Sequence, residues 1–328
     1  MSDKIAVAVI GAGEHGRRHA LALADLEQAE LAGVYDLRPE RAQALAAELG
    51  VRAYSSLEET LEAARAVTVV IPATAHAAVA REAFAGGVDV LLEKPITRTV
   101  AEAAELIALA EQGGRILQVG HLERFNPGVI AAKALTTRPL FFEVHRLGVF
   151  SPRSLDVDVV FDLMIHDLDL VLWLTESSWQ SVEAVGLPVL SDKVDIANAR
   201  VELEGGAVAN FTASRVSTEK VRKFRYFQPN EYFSIDFARR DATVIRVDRG
   251  GPSPRFSFQR LTSPPHDPLR AELEAFLESV RTRRPPPAGG REGKQALALA
   301  EEVMKRIEQH AARVNLSIAR PPGQVGET

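Results

Sequence analysis

Ile5-Ala6-Val7-Ala8-Val9-Ile10 runs straight into Gly11-Ala12-Gly13-Glu14-His15-Gly16, and a helix-like segment over 17–26 follows. The six apolar residues read as a buried strand, so the order is strand, G-x-G-x-x-G turn, helix. Each glycine then has a task. The first permits the tight turn, the second lets backbone approach a pyrophosphate, and the third allows close helix packing, with the helix N-terminus facing the anion. Glu14 and His15 lie inside that turn and belong to the same expected surface. A second strand over 30–35 ends at Asp36, twenty residues beyond Gly16, where a carboxylate accepts hydrogen bonds from ribose hydroxyls. The N-terminus therefore predicts a dinucleotide site.

Asp36 also bears on which dinucleotide binds. Facing a 2′-phosphate at about 4 Å and an effective dielectric near 20, it would be repelled by on the order of 4 kcal/mol, which favours NAD. Arg38, two residues on, is placed to bind such a phosphate, so NADP stands as the second choice.

From Asp36 onward helices and strands alternate: helices over 39–49 and 57–64, a strand over 67–71 ending at Pro72, a helix over 77–85, a strand over 88–92, a helix over 100–112 and a strand over 115–119. This alternation predicts a doubly wound parallel sheet ending near Gly120. Beyond it the pattern changes to strands over 141–149, 182–190, 194–204, 207–214, 221–227, 232–237 and 242–247, several joined by hairpin-length turns, which predicts a largely antiparallel second domain. The Pro/Gly-rich stretch 284–290 reads as a loop between two C-terminal helices. The expected organisation is a nucleotide-binding domain over 1–120, a substrate-binding and oligomerisation domain over 121–318, and a loose tail over 319–328.

Glu93-Lys94-Pro95 follows the apolar run 88–92, and open α/β sheets bind ligands just beyond the carboxyl ends of their strands. Lys94 therefore stands where a ligand would lie, although a surface lysine at a strand end is the plainer reading. The segment 159–174 is apolar at almost every position except Asp162, His166, Asp167 and Asp169. On a helix Asp162, His166 and Asp169 share one stripe while Asp167 points elsewhere. Burying that stripe unpartnered would cost several kcal/mol, so it needs a wet cleft or an internal hydrogen-bond network. A nicotinamide site with a lysine at its edge and an Asp/His stripe nearby suits oxidation of a secondary alcohol, both groups converging on one carbinol. His166 then serves as the base, Lys94 polarises the oxygen, and Asp162 binds substrate hydroxyls or holds the lysine. The reverse assignment, with lysine as base, also fits.

Composition narrows the alternatives. The 328 residues carry a net charge of −5 with acids and bases interspersed, which gives no footprint for nucleic acid or an anionic membrane. The absence of cysteine excludes disulfides, thiolate nucleophiles and thiolate metal sites. No leader precedes the first strand and no apolar stretch approaches a membrane span, so the cytoplasm is the simplest compartment. His15 and His19 have the i, i+4 spacing of a zinc pair but lack a third ligand, so no metal is expected and His19 reads as structural.

The GAGEHGRRH turn, Pro72-Ala73-Thr74-Ala75-His76, Glu93-Lys94-Pro95 and the Asp162, His166, Asp169 spacing, in that order, resemble the Gfo/Idh/MocA family of glucose-fructose oxidoreductase and inositol dehydrogenase over almost the whole chain. The resemblance implies an α/β fold with an N-terminal Rossmann domain and a C-terminal α+β domain. The second domain would carry a large, mainly antiparallel open sheet used for homodimer or homotetramer contacts. It implies that Lys94, Asp162 and His166 are the catalytic trio and that Pro72, Thr74, His76 and Glu93 lie near the cofactor. One departure is the Val159-Val160 pair where the family often has two glycines. The segments 119–127 and 166–173 look most like the nucleotide-sugar branch, the UDP-N-acetylglucosamine 3-dehydrogenases, with Arg124, Asn126 and Arg153 as substrate contacts. Arg146, Arg215, Lys220, Arg222 and Arg225 are further cations for a diphosphate. The alternatives within the family are a dehydrogenase of a free sugar or inositol, and an NAD-dependent glycosidase.

Overall fold

Periodicity and turn chemistry set the local elements, and a computed structural model describes them over residues 4–150, 157–261, 266–316 and 318. In chain order the first stretch contains β1 (Ile5–Ile10), α1 (Glu14–Ala24), β2 (Ala29–Tyr35), α2 (Pro39–Leu49), β3 (Arg52–Ala53), α3 (Leu57–Ala63), β4 (Ala66–Val69), α4 (His76–Ala85), β5 (Asp89–Leu92), α5 (Val100–Gln112) and β6 (Leu117–Val119). Then come α6 (Pro127–Lys133), β7 (Phe141–Val149), a π-turn over Val160–Met164 and α7 (Ile165–Thr175). The second series of strands is β8 (Trp179–Leu187), β9 (Ile196–Leu203), β10 (Val208–Ser217), β11 (Val221–Gln228), β12 (Glu231–Asp236), β13 (Asp241–Asp248) and β14 (Arg255–Leu261). Helices α8 (Pro268–Thr282) and α9 (Gly290–Arg313) close the described chain.

The first six strands form one sheet in the order β3-β2-β1-β4-β5-β6, every pair parallel. That is the doubly wound order, and its strand order reverses direction between β1 and β4, where such sheets bind ligands. The inner strands β1, β4 and β5, and with them β6, are buried at nearly every position, which is why most of them read as unbroken apolar runs rather than alternating ones. Helix ends follow their caps: Thr99 and Glu102 form a reciprocal capping box on α5, and the Asp267 side chain accepts from the amides of Leu269 and Arg270 at the start of α8.

The other eight strands form a second sheet in the order β14-β13-β12-β11-β7-β10-β9-β8, antiparallel except for the parallel β7 and β10. Alternate residues of its inner strands, such as Ala197, Ala199, Val201 and Leu203, are buried on one face. Tyr226 stacks on Phe233 across β11 and β12 with ring centroids 4.6 Å apart.

Two compact units result: Met1–Phe125 with His266–Leu297, and Asn126–Pro265 with Ala298–Thr328. This differs from a border near Gly120 with all of 121–318 in the second domain. The reason is α8, whose Leu269, Leu273, Phe276, Leu277 and Val280 join Val7 and Val9 of β1 and Leu23 of α1 in one core. Each such side chain contributes about 1.5–3 kcal/mol on full burial, enough to commit the helix to the first unit. The expected tail over 319–328 lies outside the described residues. Among the described residues, no helix is long and apolar enough to cross a membrane.

Candidate active site

In the first unit the glycine turn is built as its spacing requires. Gly11 has φ 104°, and a Cβ there would stand 2.2 Å from the Val70 carbonyl oxygen; a Cβ on Gly16 would stand 1.7 Å from the oxygen of Gly11. Neither position admits a side chain. Around Gly13, by contrast, nothing lies within 4 Å of an ideal Cβ, so the turn is open on the side where a phosphate would approach. Asp36 at the end of β2 closes the turn: its Oδ2 accepts from the Ala12 amide at 2.7 Å and its Oδ1 from the Arg38 amide at 2.9 Å.

Two strand ends away, β5 delivers Glu93 and Lys94, both half-buried. The Glu93 carboxylate stands 3.2 Å from His19 Nε2 on α1 and accepts from the Lys94 amide at 3.2 Å. Gly120 packs directly against it, since a Cβ at that position would be 2.9 Å from Glu93 Cδ. Burial by itself would raise the Glu93 pKa, but the His19 hydrogen bond and the charges of His19, Lys94 and His15 outweigh it and hold the carboxyl down at about 2. His15 is lowered from its usual value, chiefly by desolvation, against the pull of Glu93. The lysine thus leaves the sheet beside a fixed negative charge that is shared with the glycine-turn helix.

Pro72 and Thr74 are exposed at the carboxyl end of β4, and Thr74 sits in a short 3-10 turn over Ala73–Ala75. His76 is different. It is fully buried, with Nδ1 2.9 Å from the Pro95 oxygen and Nε2 2.9 Å from the Ile71 oxygen. Its ring sits between the loop after β4 and the loop after β5, where a neutral imidazole donates to one of the two carbonyls. Its pKa is lowered by desolvation, which the two carbonyl contacts partly offset.

In the second unit Asp162 lies in the π-turn, while His166 and Asp169 lie in the first turns of α7; Asp162 and His166 are half-buried and Asp169 is buried. A single α-helix over 159–174 was the expectation. The wider turn is anchored at its start by the loop that leads into β9: Val159 N–H donates to the Val194 oxygen at 2.9 Å, and Val194 N–H donates to Asp158 Oδ1 at 2.8 Å. π-turns within helices cluster at functional sites, and this one carries an expected catalytic carboxylate. Asp167 does point elsewhere, into a bidentate pair with Arg146 of β7 at 2.8 and 2.7 Å, and both side chains are almost wholly buried.

That pair corrects another expectation. Arg146 is not open to a diphosphate, and neither is Arg215, which is buried and donates to the carbonyls of Val157 and Val194 beside Asp195. Arg124, in the first unit, is buried with Nη1 donating to the Pro287 oxygen at 2.9 Å, so it holds the 284–290 loop rather than facing outward. Asn126 Oδ1 caps α6 by accepting from the Gly128 amide. Arg222 and Lys223 are exposed, and Arg225 pairs with Glu143 at 2.9 Å. Arg153 lies outside the described residues. Sequence reasoning missed the Arg146–Asp167 pair, for which an arginine alternating with the apolar Phe142 and Val144 along β7 was the available signal.

Comparison with known proteins bears on what this arrangement is. An oxidoreductase family domain described as an NAD-binding Rossmann fold matches residues 5–121, and the GFO/IDH/MocA C-terminal domain matches residues 143–227. The chain belongs to the GFO/IDH/MocA oxidoreductase family. Within that family it is 40% identical over 308 residues to the UDP-N-acetylglucosamine 3-dehydrogenase of Acidithiobacillus ferrooxidans, covering 93% of this chain and 98% of that one. A solved structure of that enzyme superposes with a TM-score of 0.87 at 39% identity over 93% of this chain and 98% of that one. The myo-inositol 2-dehydrogenase of Thermotoga maritima is 25% identical over 92% of this chain and 96% of that one. A levoglucosan dehydrogenase bound to NADH and levoglucosan shares the fold with a TM-score of 0.85 at 19% identity, covering 93% of this chain and 97% of that one. As a GFO/IDH/MocA oxidoreductase, the chain has a first unit whose open Gly13 face fits a bound dinucleotide phosphate.

Proposed function

We propose that this protein is an NAD-dependent dehydrogenase that oxidises a secondary hydroxyl of a nucleotide sugar, the 3-hydroxyl of UDP-N-acetylglucosamine, to a ketone. The observation that carries the reading is the 40% identity spanning nearly all of both chains to an enzyme named for that activity. When bound, NAD supplies the hydride acceptor. The chain's own residues do the rest. Gly11, Gly13 and Gly16 with the N-terminus of α1 hold the pyrophosphate, and Asp36, steadied by two backbone amides, turns its remaining lone pairs to the ribose hydroxyls. Glu14, His15, Pro72, Thr74 and Glu93 border that surface. Lys94 donates to the carbinol oxygen and stabilises the negative charge that develops on it, while His166 takes the hydroxyl proton and Asp162 orients the sugar.

With UDP-N-acetylglucosamine, UDP-glucose, free glucose and myo-inositol offered alongside NAD or NADP, only a UDP-sugar is expected to yield NADH at an appreciable rate. The kcat/KM for NAD should exceed that for NADP at least tenfold, following the like-charge repulsion at Asp36. Turnover of inositol or glucose without any UDP-sugar would replace the substrate assignment, and release of a free sugar without net NADH would identify the glycosidase reading. A preference for NADP would overturn the cofactor assignment.

The enzyme is further proposed to work in the cytoplasm as a homodimer or homotetramer through the second sheet. The support is a row of apolar groups on its uncovered face. Phe141, Phe227, Tyr232, Ile245 and Phe258 are successive cross-strand neighbours on β7, β11, β12, β13 and β14, and Phe256 and Phe258 are 74% and 72% exposed. A contiguous apolar patch of this kind marks an interaction surface. Sedimentation of the purified protein should give at least twice the chain mass, and a strictly monomeric boundary at micromolar concentration would remove the proposal.

A further inference from the structure

Within reach of the Glu93 charge lies a second carboxyl group that the reaction above does not use. Glu272 sits within the apolar stripe of α8, three residues after Leu269 and four before Phe276, and is fully buried. Neither of its carboxyl oxygens has a hydrogen-bond partner, and the side-chain oxygen of the neighbouring Gln118 has none either. The neighbourhood follows from the pleat. Gln118 of β6 pairs with Leu91 of β5, and its amide nitrogen donates to the Glu272 carbonyl at 3.0 Å. Leu91 packs in the same core as Leu273 and Phe276 of α8, and Glu93, two residues beyond Leu91, faces the same side. Glu93 is therefore near enough for its charge to act on Glu272.

Three buried acceptor oxygens without a donor are an electrostatic contradiction if Glu272 is ionised. An isolated carboxylate in a dry interior neutralises rather than bear the desolvation cost. A proton on Glu272 resolves the contradiction, because it turns one of the acceptors into an O–H donor. The charged and titratable groups on the surrounding elements include Glu14, His15, Arg17, Arg18 and His19 of α1, Glu93 and Lys94 after β5, and His121, Glu123 and Arg124 after β6. Of these, Glu93 bears on Glu272, and its negative charge adds to desolvation in raising the Glu272 pKa well above the ordinary carboxyl range.

We propose that Glu272 is a positioning residue of the Lys94 site, acting through Glu93: a buried, un-ionised carboxylic acid that keeps the pair of carboxyl groups beside the lysine at one negative charge, that of Glu93, and whose ionisation sets the alkaline limit of activity. The statement about activity rests on the dehydrogenase reading of Lys94; the statement about protonation does not.

The experiment compares the full-length wild type with Glu272→Gln. A carboxyl whose folded pKa is raised contributes its stability below the unfolded pKa and loses it as pH rises towards the folded value. The unfolding midpoints should therefore differ by a constant amount below about pH 4.5, and the wild type should fall progressively behind above it, by roughly 3 °C for each unit of pH. A difference, variant minus wild type, that stays constant to pH 9 or that falls as pH rises overturns the protonation. Infrared spectra at pH 7 give a second readout that needs only the wild type to fold: a protonated-carboxyl carbonyl band should be present there and absent from Glu272→Gln, or from Glu272→Met should the glutamine variant fail to fold. A wild type without that band also overturns it. For activity, each protein is normalised to its own maximum, and the alkaline limb of kcat should move up by at least one pH unit in Glu272→Gln. An unmoved limb with the stability gap intact overturns the activity statement alone. A wild type that oxidises no alcohol at any pH refutes the dehydrogenase reading, and the protonation is still decided by the stability and infrared data.

Discussion

Replacing Lys94 by alanine is expected to lower kcat about 10³-fold while the protein stays folded. A single preorganised donor to a developing oxyanion is worth about 10²–10³, and loss of proton management adds to that. Lys94 is half-buried at a strand end rather than in the core, so its truncation opens no large cavity. His166→Ala should cost a similar factor, since an aligned base contributes about 10²–10⁴. If the two act on one hydroxyl, the double variant will be scarcely slower than the worse single variant, because residues that operate as a unit are non-additive. Steady-state kinetics with saturating substrate and NAD make the check. Near full turnover in both single variants ends the catalytic assignment. Multiplicative losses end the claim that the two residues serve one step.

Arg146→Met should destabilise the second unit by about 3–5 kcal/mol, the cost of leaving a buried charge uncompensated. Its partner Asp167 is 2% exposed, and water cannot take the place of the guanidinium. The double variant Arg146→Met with Asp167→Leu should recover most of that loss, since buried ion pairs are often replaceable by apolar groups of similar volume. Denaturant unfolding of the four proteins measures the cycle. Turnover supplies a second readout. Asp167 adjoins His166 on α7, so if the pair also fixes the helix that presents the histidine, kcat will stay low in the double variant even where stability returns. A single variant as stable as wild type would show that the pair is not a structural bolt at all.

Much of the first unit was legible because parallel strands buried on both faces leave unbroken apolar runs, and Gly11, Gly13 and Gly16 leave a spacing that few other structures require. The strands of the second sheet were legible through alternation, as with Ala197, Ala199, Val201 and Leu203. Three elements left no such trace. β3 is only the two residues Arg52 and Ala53, too short for any period. β14 is exposed at six of its seven positions, so Phe256 and Phe258 stand beside Arg255 and Arg260 without a buried partner face. The π-turn at Val160–Met164 carries the composition of an ordinary helix, and what anchors its start is a loop more than thirty residues further along the chain, through Asp158 and Val194.

The chain by itself determined where the backbone turns, which faces are apolar, and that a lysine at a strand end and a polar stripe on a greasy helix needed explanation. These are properties of neighbours in sequence, set by side-chain volume, periodicity and glycine geometry. Tertiary structure alone decided which polar group meets which. His76 lies between the carbonyls of two loops, Arg146 is bound to Asp167 rather than open to phosphate, and Gln118 donates to the backbone of Glu272 from 154 positions away. The reason is one of range: hydrogen bonds and ion pairs act over about 3 Å between groups that only the folded chain brings together.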